Sequence, residues 1–228
     1  MTITPTTLFR ASGVAASLAG LIFVGVQINH PHLDVTSITT TDVIVRNSLK
    51  LLMAALALAG LTGMYLRQVT KIGVLGLLGY VLLAAGFLLI LGTAFVAAFI
   101  LPTLAHSAPD YVSDVIAAAN NGTATGDIGL MQTVIYVTGI AYLAGGFIFG
   151  IALFRANVLA RWAAALLALG TLATIAVGVV PQYERLFAIP TGLALVALGY
   201  SLWRDQRAPT APPIPNPVSS QLDAVGAK

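Results

Sequence analysis

IGVLGLLGYVLLAAGFLLILGTAFVAAFIL, residues 72–101, runs for 30 residues without a charged side chain. At 1.5 Å per residue such a helix would extend about 45 Å. The hydrocarbon core of a bilayer is about 30 Å thick, and about 20 apolar residues cross it. A helix that is apolar all round is buried in protein or in lipid. The run therefore reads as a spanning helix with length to spare, which must tilt, bend or project from the membrane. Gly73, Gly76, Gly79, Gly86 and Gly92 permit bending or close packing, and Pro102 is expected to end the helix.

Outward from this stretch, residues 11–28, 47–66, 129–154, 162–180 and 186–203 are also long and apolar. Across 228 residues the chain is 58% hydrophobic and 8% charged, against about 25% charge in a soluble domain. So few charges cannot cover a water-facing surface. The expected fold is all-α: a polytopic membrane protein with a bundle of six transmembrane helices, occupying residues 1–207. Residues 208–228 read as a proline-rich, extended cytoplasmic tail. The run 11–28 is longer than the usual signal-peptide core, and no A-x-A site follows it. It reads as a retained first span.

Charge placement orients the bundle. With both termini in the cytoplasm, the inside holds Arg10, Arg67, Lys71, Arg155, Arg161, Arg204, Arg207 and Lys228, and the outside holds Arg46, Lys50 and Arg185. Eight against three favours this N-in, C-in arrangement. Two outer connections are then long, 29–46 and 102–128. The first is expected to end in a helix, with Thr39 and Asp42 as a capping-box-like start. The second is expected to hold a short helix over 110–119, broken by Asn120-Asn121-Gly122, within which Asn121-Gly122-Thr123 is a glycosylation sequon.

Several classes of chemistry lack a signature. There is no cysteine, hence no disulfide or thiolate site. No phosphate loop, H-E-x-x-H or G-x-S-x-G occurs. No ionisable residue sits in the middle of a span, which argues against a proton relay or pump. The basic residues lie at helix ends rather than in a patch, so nucleic acid is not an expected partner. No cofactor is specified.

Three groups of residues remain as candidates. Arg46 and Lys50 share a helix face at the outer end of the second span. They can bind an anionic ligand or lipid headgroup, or pair with outer acids. Gln132 and Tyr136, near the outer end of the fourth span, can line a pocket beneath the two long loops. His30 and His32, two apart in an extended segment, point the same way and with His106 offer imidazoles for Zn or Cu. Gly146 and Gly150 form G-x-x-x-G, and Ala11, Ala15 and Ala19 form a small-residue stripe; both mean close helix packing, within one chain or between copies.

The stretches Ile28-Asn29-His30-Pro31, Phe99-Ile100-Leu101-Pro102, Leu153-Phe154-Arg155-Ala156 with Arg161-Trp162-Ala163, and Pro190-Thr191-Gly192-Leu193-Ala194 with Gly199-Tyr200 resemble an uncharacterised family of actinobacterial-type six-span integral membrane proteins. The resemblance implies a six-helix bundle in a bacterial plasma membrane and brings no activity with it. A looser likeness of architecture links the long outer loops to the substrate-binding subunits of energy-coupling-factor transporters. The expected function is a non-catalytic membrane protein holding a small ligand or lipid at its outer face. The alternatives are a metal or redox protein using the outer histidines, and a structural or regulatory subunit. Membrane lipid, a small-molecule ligand, a second copy or another membrane protein are the partners in view.

Overall fold

A computed structural model describes residues 4–28, 31–120, 122–175 and 184–205. His30, Asn121, the end of the fifth expected span and the proline-rich tail lie outside them. The described residues are mostly helical, with no strand among them. The helices are α1 (Pro5–Gly25), α2 (Thr41–Arg67), α3 (Val69–Phe95), α4 (Leu101–Ser107), α5 (Pro109–Ala119), α6 (Met131–Ala156), α7 (Arg161–Ala173) and α8 (Glu184–Asp205). A 3₁₀ turn, Ser37–Thr39, precedes α2, and a π turn, Val96–Ile100, joins α3 to α4.

Among the described residues five helical segments are long and apolar enough to cross a membrane: α1, α2, the continuous path Val69–Ser107, α6 and Leu186–Asp205 of α8. This is the architecture of an integral membrane protein. Helix α7 has 13 residues, about 20 Å of helix, and residues 176–180 of the expected fifth span are outside the description.

The long helices pack as a ring in the order α1, α2, α3, α6, α7, α8, with α8 returning to α1. Small residues set the approach. A Cβ on Gly13 would lie 2.7 Å from the Gly199 carbonyl oxygen, and one on Gly20 would collide with Gly192. The face of α1 that packs is therefore Gly13, Ala16 and Gly20, offset from the expected alanine stripe, of which Ala11 is exposed and only Ala19 is buried. Gly146 and Gly150 receive Thr171 and Ala168 of α7, so this G-x-x-x-G works within the chain.

The expected stop at Pro102 is not where the helix ends. Proline lacks an N–H and crowds the carbonyl four residues back. Here the helix widens just before it, with the Leu101 N–H bonding to Val96 O five residues back. Pro102 then occupies the first turn of α4, where a missing N–H costs nothing. The real break in α3 is Gly73, at φ 62° and ψ −167°, a region open only to glycine. Gly76, Gly79 and Gly86 stay helical and serve close packing.

The two long connections close one end of the ring. Their apolar side chains, among them Ile38, Val112, Val115, Ile116 and Ile128, form a second core distinct from the main one around Phe87, Phe149 and Leu195. The opposite end carries Arg67, Lys71, Arg155, Arg161 and Arg204.

Candidate functional site: a roofed apolar cavity

Polar side chains hold the roof in place. Asp34 Oδ1 accepts from the backbone N–H groups of Thr36 (2.9 Å) and Ser37 (2.7 Å), while Ser37 Oγ accepts from the Asp34 N–H at 2.9 Å. This reciprocal pair is a capping box, formed at Asp34 and Ser37 rather than at Thr39 and Asp42. Thr39 and Thr40 instead bond back to Thr36 O and Ser37 O, and α2 starts without a side-chain cap. Asp114 of α5 accepts from Thr125 N (2.9 Å), Thr125 Oγ1 (3.0 Å) and Gly126 N (2.9 Å). The backbone N–H of Thr125 first, then its hydroxyl, hold the Asp114 carboxyl below the ordinary 3.8. The N–H of Ser37 does the same for Asp34.

The expected site residues divide. Arg46 Nε pairs with Asp42 at 2.9 Å, and its Nη1 donates to Ile28 O (2.9 Å) and Val26 O (3.4 Å) at the end of α1. It is a clasp between α1 and α2. Lys50, one turn on, is half-buried and has an interaction partner of its own. Gln132 accepts from Ala124 N at 3.1 Å and donates to Gly122 O at 3.5 Å, fixing the roof to α6. Tyr136 is 49% exposed, on the outward stripe with Val137 and Ile140. None of these four lines the cavity beneath the roof. His32 and His106 are exposed, and His30 is outside the description. Among the described residues no three His, Asp or Glu side chains converge to hold a metal ion.

Beneath the roof lies a cavity of about 210 Å³, bounded by α2, the α3–π segment, α6 and α5. Its walls are mainly Leu33, Ile38, Val96, Leu101, Ile116 and Ile135. Among the described residues three polar side chains reach it, Asn47, Thr93 and Thr138, and no ionisable one does. Sequence reasoning missed these wall positions. Met131, Ile135 and Thr138 fall at i, i+4 and i+7 on α6, a helical stripe that was readable. Asn47, the one carboxamide inside the second span, was a second signal. The π turn was not readable, and its Val96 and Ala97 line the cavity.

At the opposite end, Arg67 and Asp205 pair at 2.7 Å and tie α2 to α8, while the Arg161 guanidinium sits 4.2 Å from the Phe154 ring centre. Lys71 and Arg155 flank a separate hollow beside Gly73. Comparison with known families, curated proteins and solved structures returns no match to this chain.

Proposed function

We propose that the chain is a non-catalytic, multi-pass protein of a bacterial plasma membrane, with six spans and both termini cytoplasmic, that holds a small apolar ligand or the end of a lipid chain at its outer face. The carrying observation is the cavity of about 210 Å³ beneath two connections with their own core. A well-packed interior leaves few voids larger than a water molecule, and a dry void of about 150 Å³ admits benzene. Drug-sized ligands fill roughly 300 Å³ or more. The occupant is thus a compact molecule or a chain terminus. The clustering of Arg67, Lys71, Arg155, Arg161 and Arg204 at the far end supports the cytoplasmic side there. A roof of loops over a site between spans is also the plan of transporter substrate-binding subunits, which favours capture over a purely structural role. Arg46 and Gln132 serve this reading as holders of the roof.

Native mass spectrometry of the protein, extracted gently from its host membrane, tests it. The expected result is an apolar adduct on the wild type that Thr138→Phe, which fills the cavity, removes. An adduct unchanged in Thr138→Phe, or a bare wild-type mass with no uptake of added apolar probe, overturns the proposal.

A further inference from the structure

Asn47 is 4% exposed. Its Nδ2 donates to the Ala97 carbonyl of the π turn at 3.5 Å. The carboxamide orientation follows from chemistry, because turning it over would set two carbonyl oxygens against each other. Among the described residues Oδ1 then accepts no hydrogen bond, yet protein atoms do not seal it off, and Asn47 lines the cavity. An acceptor left open beside apolar walls is free to take a donor from a molecule that enters the cavity. The two threonines repeat the pattern. Thr93 Oγ1 donates to Ile90 O at 3.1 Å, and Thr138 Oγ1 donates to Val134 O at 2.7 Å. Both protons are committed to their own helices, so what each hydroxyl can still offer is lone pairs.

We infer that the cavity selects a neutral, largely apolar molecule bearing a hydrogen-bond donor, with a hydroxyl as the simplest such group, and that Asn47 Oδ1 is the specificity-determining acceptor. This rests on the cavity being a binding site. Among the described residues an anion would meet acceptor oxygens and no cation. An ammonium would be stripped of water with no carboxylate to answer it. A hydroxyl gives its proton to Asn47 and leaves its apolar body against Ile38, Val96, Leu101 and Ile135.

The test uses two isomers, 4-fluorobenzyl alcohol and 4-fluoroanisole, which share size and composition but differ in the O–H. Fluorine NMR titration of the full chain in lipid nanodiscs, with empty nanodiscs as background, reads binding of each. The wild type is expected to bind the alcohol about tenfold tighter than the ether, the equivalent of one buried hydrogen bond. Asn47→Leu should bring the ratio close to 1, Thr93→Val should lower it about twofold, and 4-fluorobenzylammonium should not bind. Equal affinities of the two isomers for the wild type overturn the inference while leaving the cavity reading standing, and need no variant to fold. A ratio unchanged in Asn47→Leu overturns the role of Asn47. Absence of binding by either neutral isomer overturns both this inference and the site on which it rests.

Discussion

Placing a methyl group at Gly145 is the sharpest probe of how this bundle is assembled. A Cβ there would collide with the Leu83 nitrogen and lie 2.6 Å from Leu83 Cα and 2.7 Å from the Leu82 carbonyl carbon. Carbon atoms pack at about 3.5–4.0 Å, so α3 and α6 must part by roughly 1 Å. The obstructing atoms are backbone, so no rotamer change relieves the clash. Overpacking costs about 1–3 kcal/mol, and a rigid neighbour puts Gly145→Ala at the upper end, about 3 kcal/mol. Alanine returns about 1 kcal/mol through its helix propensity, for a net loss of about 2 kcal/mol. Gly139, on the same helix, has nothing within 4 Å of its Cβ position, so Gly139→Ala should gain about 1 kcal/mol. The two variants therefore differ by about 3 kcal/mol, or roughly 6–12 °C in unfolding midpoint for a chain of this size. Thermal unfolding in detergent, followed by circular dichroism, measures both. Equal midpoints for the two variants would refute the close α3–α6 seam and the ring built on it.

Removing Arg46 and removing Asp42 should not be equivalent. Asp42 is 57% exposed, and such a surface pair contributes about 0–1 kcal/mol; Arg46→Ala also strips the Val26 and Ile28 carbonyls of a charged donor, for about 1–2 kcal/mol in total. Equal unfolding midpoints of Arg46→Ala and Asp42→Ala would count against the clasp. Acid should loosen the roof first. The Asp34 and Asp114 carboxyls are held below the ordinary 3.8 by donors that bind the charged form. Their stabilisation is therefore present above that value and is lost as pH falls through the lowered folded values. Hydrogen exchange at the Thr125 and Gly126 amides, corrected for intrinsic rates, should quicken as pH falls below the ordinary 3.8 in the wild type but not in Asp114→Asn; identical pH profiles would sink this assignment.

The helical class was legible because lipid leaves a helix one way to satisfy its backbone, within itself. Runs of apolar residues therefore announce α1, α2, α3 and α6 with little help from context. The helix over 110–119 was legible too, since Asn120-Asn121-Gly122 marks its end in the sequence. Site residues were less so. Arg46 and Gln132 attract notice as polar groups beside membrane spans, but their partners are backbone atoms of other segments: Val26 O and Ile28 O for one, Ala124 N and Gly122 O for the other. No periodicity encodes those distances. The capping box shifted from Thr39 to Asp34 for a similar reason. Several Thr, Ser and Asp residues in 34–42 can cap, and packing of Ile38 into the roof core chooses among them.

By itself the sequence determined that the chain is helical, that its long helices belong in lipid, and that charge gathers at one end. Those properties depend on composition and spacing within single segments. The tertiary structure alone decided the ring order, the π turn before Pro102, and the cavity with Asn47, Thr93 and Thr138 on its walls. These depend on which small residues let two backbones meet, and on where two helices are held too far apart to fill the space between them.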